Sequence, residues 1–381
     1  MMTNAIPTGL AGAVLSIDLG ALQSNYRALS RKAGKAVCGA AVKGNAYGLG
    51  VNPIAKALWD AGCRHFFVAR PVEGEDLRAL LPEAVIYVLD GLFPGQAEFY
   101  AGNGLCPALI SLDEVREWAA FGRRYGRALP CAIHVDTGIN RLGLTIEEFD
   151  ELLSDDFLRS GIDITLLMSH LACADDPHHP LNKTQAKRFS ALRKKLPGIP
   201  ASLANSSGIF LGKCYTHDLC RPGIALYGGN PTPGRKNPMK AVAKLEGTVL
   251  QVREVKKGDT VGYSATWKAP RDSRIAILGA GYKDGVPRHL SSRQKDGPAQ
   301  VFVAGKRCPV VGRISMDMMA VDVTALPVSK TVRGTRAEII GPHLLIDEVA
   351  GWAGTISYEL LTRLGSRYAR LYSGTANLGK S

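Results

Sequence analysis

The chain has no apolar stretch approaching the roughly 18–20 residues that a membrane-crossing helix needs, so no spanning anchor is expected. It has no C-x-x-C pair: its eight cysteines stand singly at 38, 63, 106, 131, 173, 214, 220 and 308. Scattered this way they suggest neither a disulfide frame nor a zinc site, and the expectation is reduced, mostly buried thiols in a cytoplasmic protein. Residues 1–16 are apolar but carry no basic leading segment, which makes them a poor secretory signal. Internal repeats and low-complexity tracts are absent. The formal net charge of +13 raises the question of nucleic acid, yet the basic residues are spread and no nucleic-acid motif accompanies them. Runs such as Arg123-Arg124 and Arg193-Lys194-Lys195 fall in amphipathic, helix-like segments where a solvated face is the default. Weak attraction to anionic metabolites is the more useful reading of the charge. Asp175-Asp176-Pro177-His178-His179 has metal-binding residue types, but the proline-broken segment reads as a solvated loop, and no metal is expected.

What is present is a long alternation. At 381 residues and 46% hydrophobic the chain has room for two domains. Short β-rich apolar runs occur at 36–42, 65–69, 84–89, 107–111, 130–135, 163–168, 201–204 and 219–227. Helix-like stretches lie between them at 53–61, 73–81, 112–125, 146–153 and 184–196, with Ser111 as an N-cap before first-turn acids. Eight strands alternating with helices is the count of a closed (β/α)8 barrel. An open doubly wound sheet is the competitor, but no G-x-G-x-x-G follows the first strand candidate. The proline- and glycine-rich segment 230–238 reads as a linker. Beyond it, strand-like runs at 248–255, 274–278, 300–303, 308–311 and 319–323, separated by turn signals, predict a mostly β C-terminal domain. The expected division is a barrel over 19–236 and a β-rich domain over 237–381, with the N-terminal strand in residues 1–18 joining the latter.

Lys43 ends the first apolar run and is followed by glycines. At the mouth of an apolar strand desolvation disfavours the ammonium form, and a neutral amine is what a Schiff-base lysine needs. Taken alone, Lys43 could equally be a snorkelling lysine on a glycine-rich loop. In a (β/α)8 barrel, however, the chemistry gathers at the C-terminal ends of the strands, and other unusual polar residues fall there too. Arg141 follows strand five, His170 ends strand six, Asn205-Ser206 follows strand seven, and Arg221 lies on strand eight. Each alone has a dull explanation as a cap, a core histidine or a surface ion pair. Together on one rim they point to a site.

All of these residues except His170 sit in motifs through which the chain resembles the alanine racemases, from about residue 17 to 372. The motifs are AVKGNAYGLG at 41–50, HVDTGINRLG at 134–143, LANSSG at 203–208, RPGIALYG at 221–228, VGYSATW at 261–267, GYKDG at 281–285, GRISMDM at 312–318 and TISYE at 355–359. The resemblance implies a fold-type III barrel with a C-terminal β domain, pyridoxal 5'-phosphate as cofactor, and a homodimer whose subunits share their sites. It implies that Lys43 holds the cofactor and is the base on the D-side of the substrate, with Tyr263 of the other subunit as the base on the opposite face. Interconverting enantiomers needs a proton acceptor on one face and a donor on the other, and free lysine and tyrosine both titrate near ~10. Outside the motif, Tyr263 would read as an exposed strand tyrosine in a turn. Arg221 resembles the arginine facing the pyridine nitrogen. A second positive charge ~3 Å from a guanidinium would cost on the order of 5 kcal/mol at an effective dielectric of ~20. His170 is implied to link Tyr263 and Arg221.

The resemblance further implies that Tyr47, Ser206, Tyr358 and the backbone N–H groups of Gly223 and Ile224 hold the phosphate, with Asn205 in the same shell. Arg141 and the Met316 N–H would bind the substrate carboxylate, Asp317 would support its loop, and Tyr282 would stand at the approach to the site. The implied role is to supply D-alanine for peptidoglycan. Three positions depart from the family's pattern: Leu49 stands where a histidine is common, Lys283 replaces the small residue of G-Y-A-D-G, and His134 occupies a position often held by lysine. The first two bear on local packing and the approach to the site, the third on substrate binding. Two rivals remain: a non-catalytic pyridoxal-phosphate carrier protein, which shares only the barrel, and a racemase of broad specificity or for serine. A decarboxylase of the related barrel type is more remote.

Overall fold

The first barrel strand is broken by Gly39, and the break closes the sheet. In the computed structural model, which describes residues 6–291 and 297–374, Val37–Cys38 pairs in parallel with Leu219–Cys220, whereas Ala40–Ala41 pairs with Phe66 and Phe67 on the other side. A side chain at Gly39 would meet the His65 carbonyl and the Phe67 ring, each at 2.9 Å, so only glycine fits at the crossing point. From Ala40–Ala41 the parallel order runs His65–Val68, Val85–Val88, Cys106–Leu109, Leu129–His134, Ile162–Met168 and Ala201–Ser202. The Asp218 N–H donates to the Ala201 carbonyl (3.0 Å) and the Arg221 N–H to that of Ala204 (2.9 Å), which ties Leu219–Cys220 to the seventh strand as well as the first. The result is a ring of eight parallel strand positions.

The helices follow from capping and from one apolar face each. Leu112–Arg124 starts where Ser111 Oγ accepts the Glu114 N–H. Its buried face carries Leu112, Val115 and Trp118, and Trp118 Nε1 donates to the Leu129 carbonyl of the fifth strand at 3.3 Å. Pro180–Lys195 starts four residues before the expected 184, because His179 Nδ1 accepts the Leu181 N–H and places Pro180 in the first turn, where its missing N–H costs nothing. The eighth strand is much shorter than the expected 219–227. Beyond Pro222 the chain leaves the ladder, and the N–H groups of Gly223 and Ala225 donate to Ser206 Oγ instead.

By compactness, the described residues of Leu22–Leu226 and Asn230–Met239 form one unit, and those of Met1–Ala21, Tyr227–Gly229 and Lys240–Ser381 another. The second unit is a mostly β body. Ala13–Asp18 pairs antiparallel with Ala243–Val255 and parallel with Ala369–Ser373. Ala243–Val255 also pairs with Arg336–Ile340 and, past a bulge between Val249 and Gln251, with Ser273–Leu278. Gln300–Val303, Lys306–Val311 and Met319–Asp322 complete the sheet. Arg336–Ile340 and Ala369–Ser373 were not among the expected strands. In the first, Glu338 breaks the apolar run; it is buried and satisfied by the N–H groups of His343 and Leu344.

Trp118 is fully buried against the sheet. Trp118→Ala is therefore expected to destabilise the barrel unit by about 3–5 kcal/mol. A denaturant titration followed on the barrel's own signals should show a clearly lowered midpoint, and an unchanged midpoint would contradict this packing.

Candidate active site

Within the barrel unit, the strand ends bring together the residues that the sequence singled out. Ala41 N–H donates to the Pro222 carbonyl (2.9 Å), so the first and eighth strands run side by side just where Lys43 and Arg221 project. Lys43 opens an unusual turn: Gly44, Asn45, Ala46 and Tyr47 have φ values of 64, 56, 52 and 55°, all left-handed. The tip of Lys43 reaches solvent, yet the rim around it is deep enough that burial pulls its amine below the ordinary lysine value. Asp90 opposes this, Arg141 adds to it, and Glu73 opposes it.

Arg221 is buried, and its hydrogen bonds go to polar groups of neighbouring strand ends, with its guanidinium carbon 6.0 Å from the centre of the Phe67 ring. Its Nη1 donates to the Ser202 carbonyl (2.9 Å) and Oγ (2.5 Å), and its Nη2 to the Ser169 carbonyl (2.6 Å). Nη2 also lies 3.5 Å from His170 Nδ1. Burial lowers the guanidinium to about 10, which leaves it charged at neutral pH. That charge, with burial as the larger cause, holds the His170 imidazole well below its usual range and hence neutral. Gln185, fully buried, fixes the backbone here by donating to the His170 carbonyl (2.8 Å) and accepting the Ala172 N–H (2.9 Å).

Tyr47, Ser206, Gly223 and Ile224 are likewise close neighbours. Any side chain at Gly223 would collide with the Tyr47 hydroxyl, and Ser206 Oγ accepts the Gly223 N–H at 2.9 Å. Asn205 Oδ1 accepts the Gly208 N–H (2.9 Å), which turns the chain back over the rim. Arg141 is exposed, on a loop shaped by Asp136, whose carboxylate accepts the N–H groups of Gly138 (2.8 Å), Ile139 (3.0 Å) and Asn140 (2.9 Å). His134 is buried at the end of the fifth strand, and neither ring nitrogen has a partner among the described residues. Burial, and then the charges of Arg221 and Arg141, push it down to about 4.

The β unit gathers the other set. Tyr263 is 69% exposed in a tight turn where Ser264 (φ 60°) and Ala265 (φ 50°) are left-handed, and Arg313 Nη1 donates to Ser264 Oγ at 2.9 Å. Tyr282 and Met316, both exposed, stand on two loops joined by the Tyr282 N–H to the Ser315 carbonyl (3.1 Å) and the Lys283 N–H to the Met316 carbonyl (3.0 Å). Arg367 ties the same loops by pairing with Asp284 and Asp317, both at 2.8 Å. Tyr358 is exposed on the helix Ser357–Thr362. The residues that sequence reasoning passed over are the supports: Glu73, Asp136, Gln185, Ser202 and Arg367. Only Asp136 lay inside a quoted motif.

Fold and rim together define a (β/α)8-barrel enzyme with a second, β-rich unit. Residues 17–231 match the family described as alanine racemase, N-terminal domain, and residues 242–372 the alanine racemase C-terminal domain. The chain is 51% identical to the alanine racemase of Methylobacterium nodulans over 96% of this chain and 97% of that one, and 48% identical to that of Rhodospirillum rubrum over 96% of each. The crystal structure of the alanine racemase of Bartonella henselae, with covalently bound pyridoxal phosphate, superposes with a TM-score of 0.90 at 41% identity, over 95% of this chain and 100% of that one. The chain belongs to the alanine racemase family.

The state of His134 has a measurable consequence. As pH falls, the unfolded chain protonates this imidazole near 6.5, whereas the folded one does so only near 4. The unfolded state binds more protons across that window, so this residue should cost stability on the order of 3 kcal/mol between pH 6.5 and 4 and no more below it. Denaturant titrations at several pH values should show a shallower acid decline for His134→Leu than for the wild type. Equal slopes would mean that His134 is not held neutral.

Proposed function

We propose that this enzyme interconverts L-alanine and D-alanine with pyridoxal 5'-phosphate, by a two-base mechanism shared between the subunits of a homodimer. The observation that carries the reading is the barrel rim, where an amine depressed by burial and a buried, immobilised guanidinium lie on adjacent strand ends. The full-length likeness to enzymes of that name supports it. The rim also fits the cofactor physically: Lys43 can offer a neutral amine, and the hydroxyls of Tyr47 and Ser206 converge where Gly223 leaves no side chain in the way.

When bound, pyridoxal phosphate supplies an electron-withdrawing ring that acidifies the substrate's α-carbon. The remaining steps belong to the chain. Arg221, clamped by Ser202 and Ser169, keeps a fixed positive charge at the ring position and offers no proton to it. Tyr47, Ser206, Tyr358 and the backbone at Gly223 and Ile224 would hold the phosphate, with Asn205 shaping the loop. Arg141 would bind the substrate carboxylate through its paired donors, with the Met316 N–H beside it. Lys43 would move the α-proton on the D-side and Tyr263 of the second subunit on the L-side. His170, neutral beside Arg221, would link Arg221 to Tyr263 by hydrogen bonding. Asp317, paired with Arg367, would support the Met316 loop, and Tyr282 would stand at the approach to the site.

The product would be D-alanine for peptidoglycan, made in the cytoplasm. Free cysteines throughout the described residues support that location. No described helix is long and apolar enough to cross a membrane. The match of residues 242–372 to the C-terminal domain family favours an enzyme over a barrel-only carrier. Breadth of substrate is settled by chiral analysis after incubation with each of several L-amino acids. One methylene in a pocket is worth only ~1–3 kcal/mol of discrimination, so equal conversion of serine would move the reading to a broad-specificity racemase.

Two experiments test the mechanism. Mixing inactive Lys43→Ala with inactive Tyr263→Phe should restore activity, since some mixed dimers hold one site with both wild-type groups. No recovery despite demonstrated subunit exchange would count against shared sites. Separately, Tyr263→Phe should lose racemisation yet still exchange the α-hydrogen of D-alanine with heavy water, and that of L-alanine much more slowly. Equal exchange from both enantiomers would mean that one base serves both faces.

A further inference from the structure

The N–H of Gly44, the residue after Lys43, is held by a carboxylate from the next βα unit. Glu73 Oε1 accepts it at 2.6 Å, while Glu73 Oε2 accepts the N–H groups of Ala69 (2.9 Å) and Arg70 (3.1 Å) at the end of the second strand. The second set is ordinary: a glutamate in the first turn of the helix Pro71–Leu80 reaches back over its own start. The first is not required by that helix at all. It binds one strand end to its neighbour at the residue adjoining the lysine.

The turn so held is costly. Asn45, Ala46 and Tyr47 are non-glycine residues in the left-handed region, at roughly 1–2 kcal/mol each. Such a conformation persists only where its surroundings over-determine it. Its far end is fixed by burial of Ala46 and Tyr47 and by Asn45 Oδ1, which accepts the Val51 N–H at 2.8 Å. Glu73 fixes the near end. Around the Lys43 amine the charged and titratable groups are Asp90, Arg141, Glu73 and His170, so Glu73 is one of only two anions acting on it among the described residues.

We infer that Glu73 is a positioning residue for Lys43, locking the left-handed turn to the adjacent strand end and supplying negative charge to the amine's surroundings. The inference rests on the reading of Lys43 as the lysine that carries the cofactor. It leaves Glu73 with no direct contact to substrate or cofactor.

The test compares holoenzymes of the wild type, Glu73→Gln and Glu73→Asp. An amide has a single acceptor oxygen, so Glu73→Gln can serve Gly44 or the strand end but not both, and it carries no charge. The pH titration of the visible absorption of the bound cofactor should shift down by roughly half to one unit in Glu73→Gln, because loss of a nearby opposite charge disfavours the protonated nitrogen. Its kcat should fall roughly ten- to a hundred-fold, as for a small misplacement of a reacting group, with KM for alanine changed much less. Glu73→Asp should bring the titration back towards wild type while kcat stays low, separating charge from reach. Borohydride trapping followed by peptide mapping identifies the modified lysine in each sample. A trap on any lysine other than Lys43 overturns the reading on which the inference rests. A trap on Lys43 with the wild-type titration and kcat in Glu73→Gln overturns the role of Glu73 alone. Should Glu73→Gln fail to fold, hydrogen exchange of the wild-type holoenzyme decides: the Gly44 amide should be strongly protected, and fast exchange there would overturn the inference.

Discussion

The hydrogen bond from the Ala41 N–H to the Pro222 carbonyl, at 2.9 Å, is the contact on which the barrel site depends. It pairs the first strand of the ring with the eighth, and thereby brings together the strand ends that carry Lys43 and Arg221, although 178 positions separate these residues in sequence. The pairing is possible because Gly39 lets the first strand serve two neighbours in turn. Were that residue larger, the His65 carbonyl and the Phe67 ring would hold the strands apart, and the rim would lose its register before any side chain at the site was touched.

Around this seam the chain concentrates positive charge where solvation is poor. Lys43, Arg141 and Arg221 all act on His170, with His134 close enough to act as well. The two imidazoles yield first: burial and the guanidinium charges keep both neutral, His134 down to about 4. Arg221 does not yield, because its donors are met by two backbone carbonyls and the Ser202 hydroxyl. A rim built this way favours anionic ligands electrostatically, and phosphate and carboxylate are the anions of the proposed reaction. A neutral His134 also differs from a lysine in kind: it adds no charge to the cluster around Arg141 at neutral pH.

Much of this was legible in the sequence. The barrel strands showed as short runs such as 65–69 and 84–89, and Ser111 marked a helix start that the structure places at Leu112. Lys43, His170 and Asn205 were visible as polar residues at or just past the ends of apolar runs, whereas Arg221 lies inside one and Arg141 in the loop beyond another. What escaped was whatever depends on a partner distant in sequence. The span 219–227 reads as one strand until Ser206 draws the N–H groups of Gly223 and Ala225 away from the ladder. Glu338 disguises a buried strand because the N–H groups that satisfy it lie in the following turn. Glu73 looks like any helix-capping acid, since its link to Gly44 crosses from one βα unit to another.

The strained turns share a logic that no motif states. Each unit presents its proposed base from a left-handed turn containing non-glycine residues: Asn45, Ala46 and Tyr47 after Lys43, and Ser264 and Ala265 after Tyr263. Each is held by a side-chain hydrogen bond from a residue remote in sequence, Glu73 in one case and Arg313 in the other. A relaxed right-handed turn would need no such support, but it would aim the base elsewhere. Strain at the turn and a polar tether from a distant residue are thus two parts of one device. Because each tether is one exposed side-chain contact, its loss should be felt in the placement of the base more than in the stability of the barrel or the sheet.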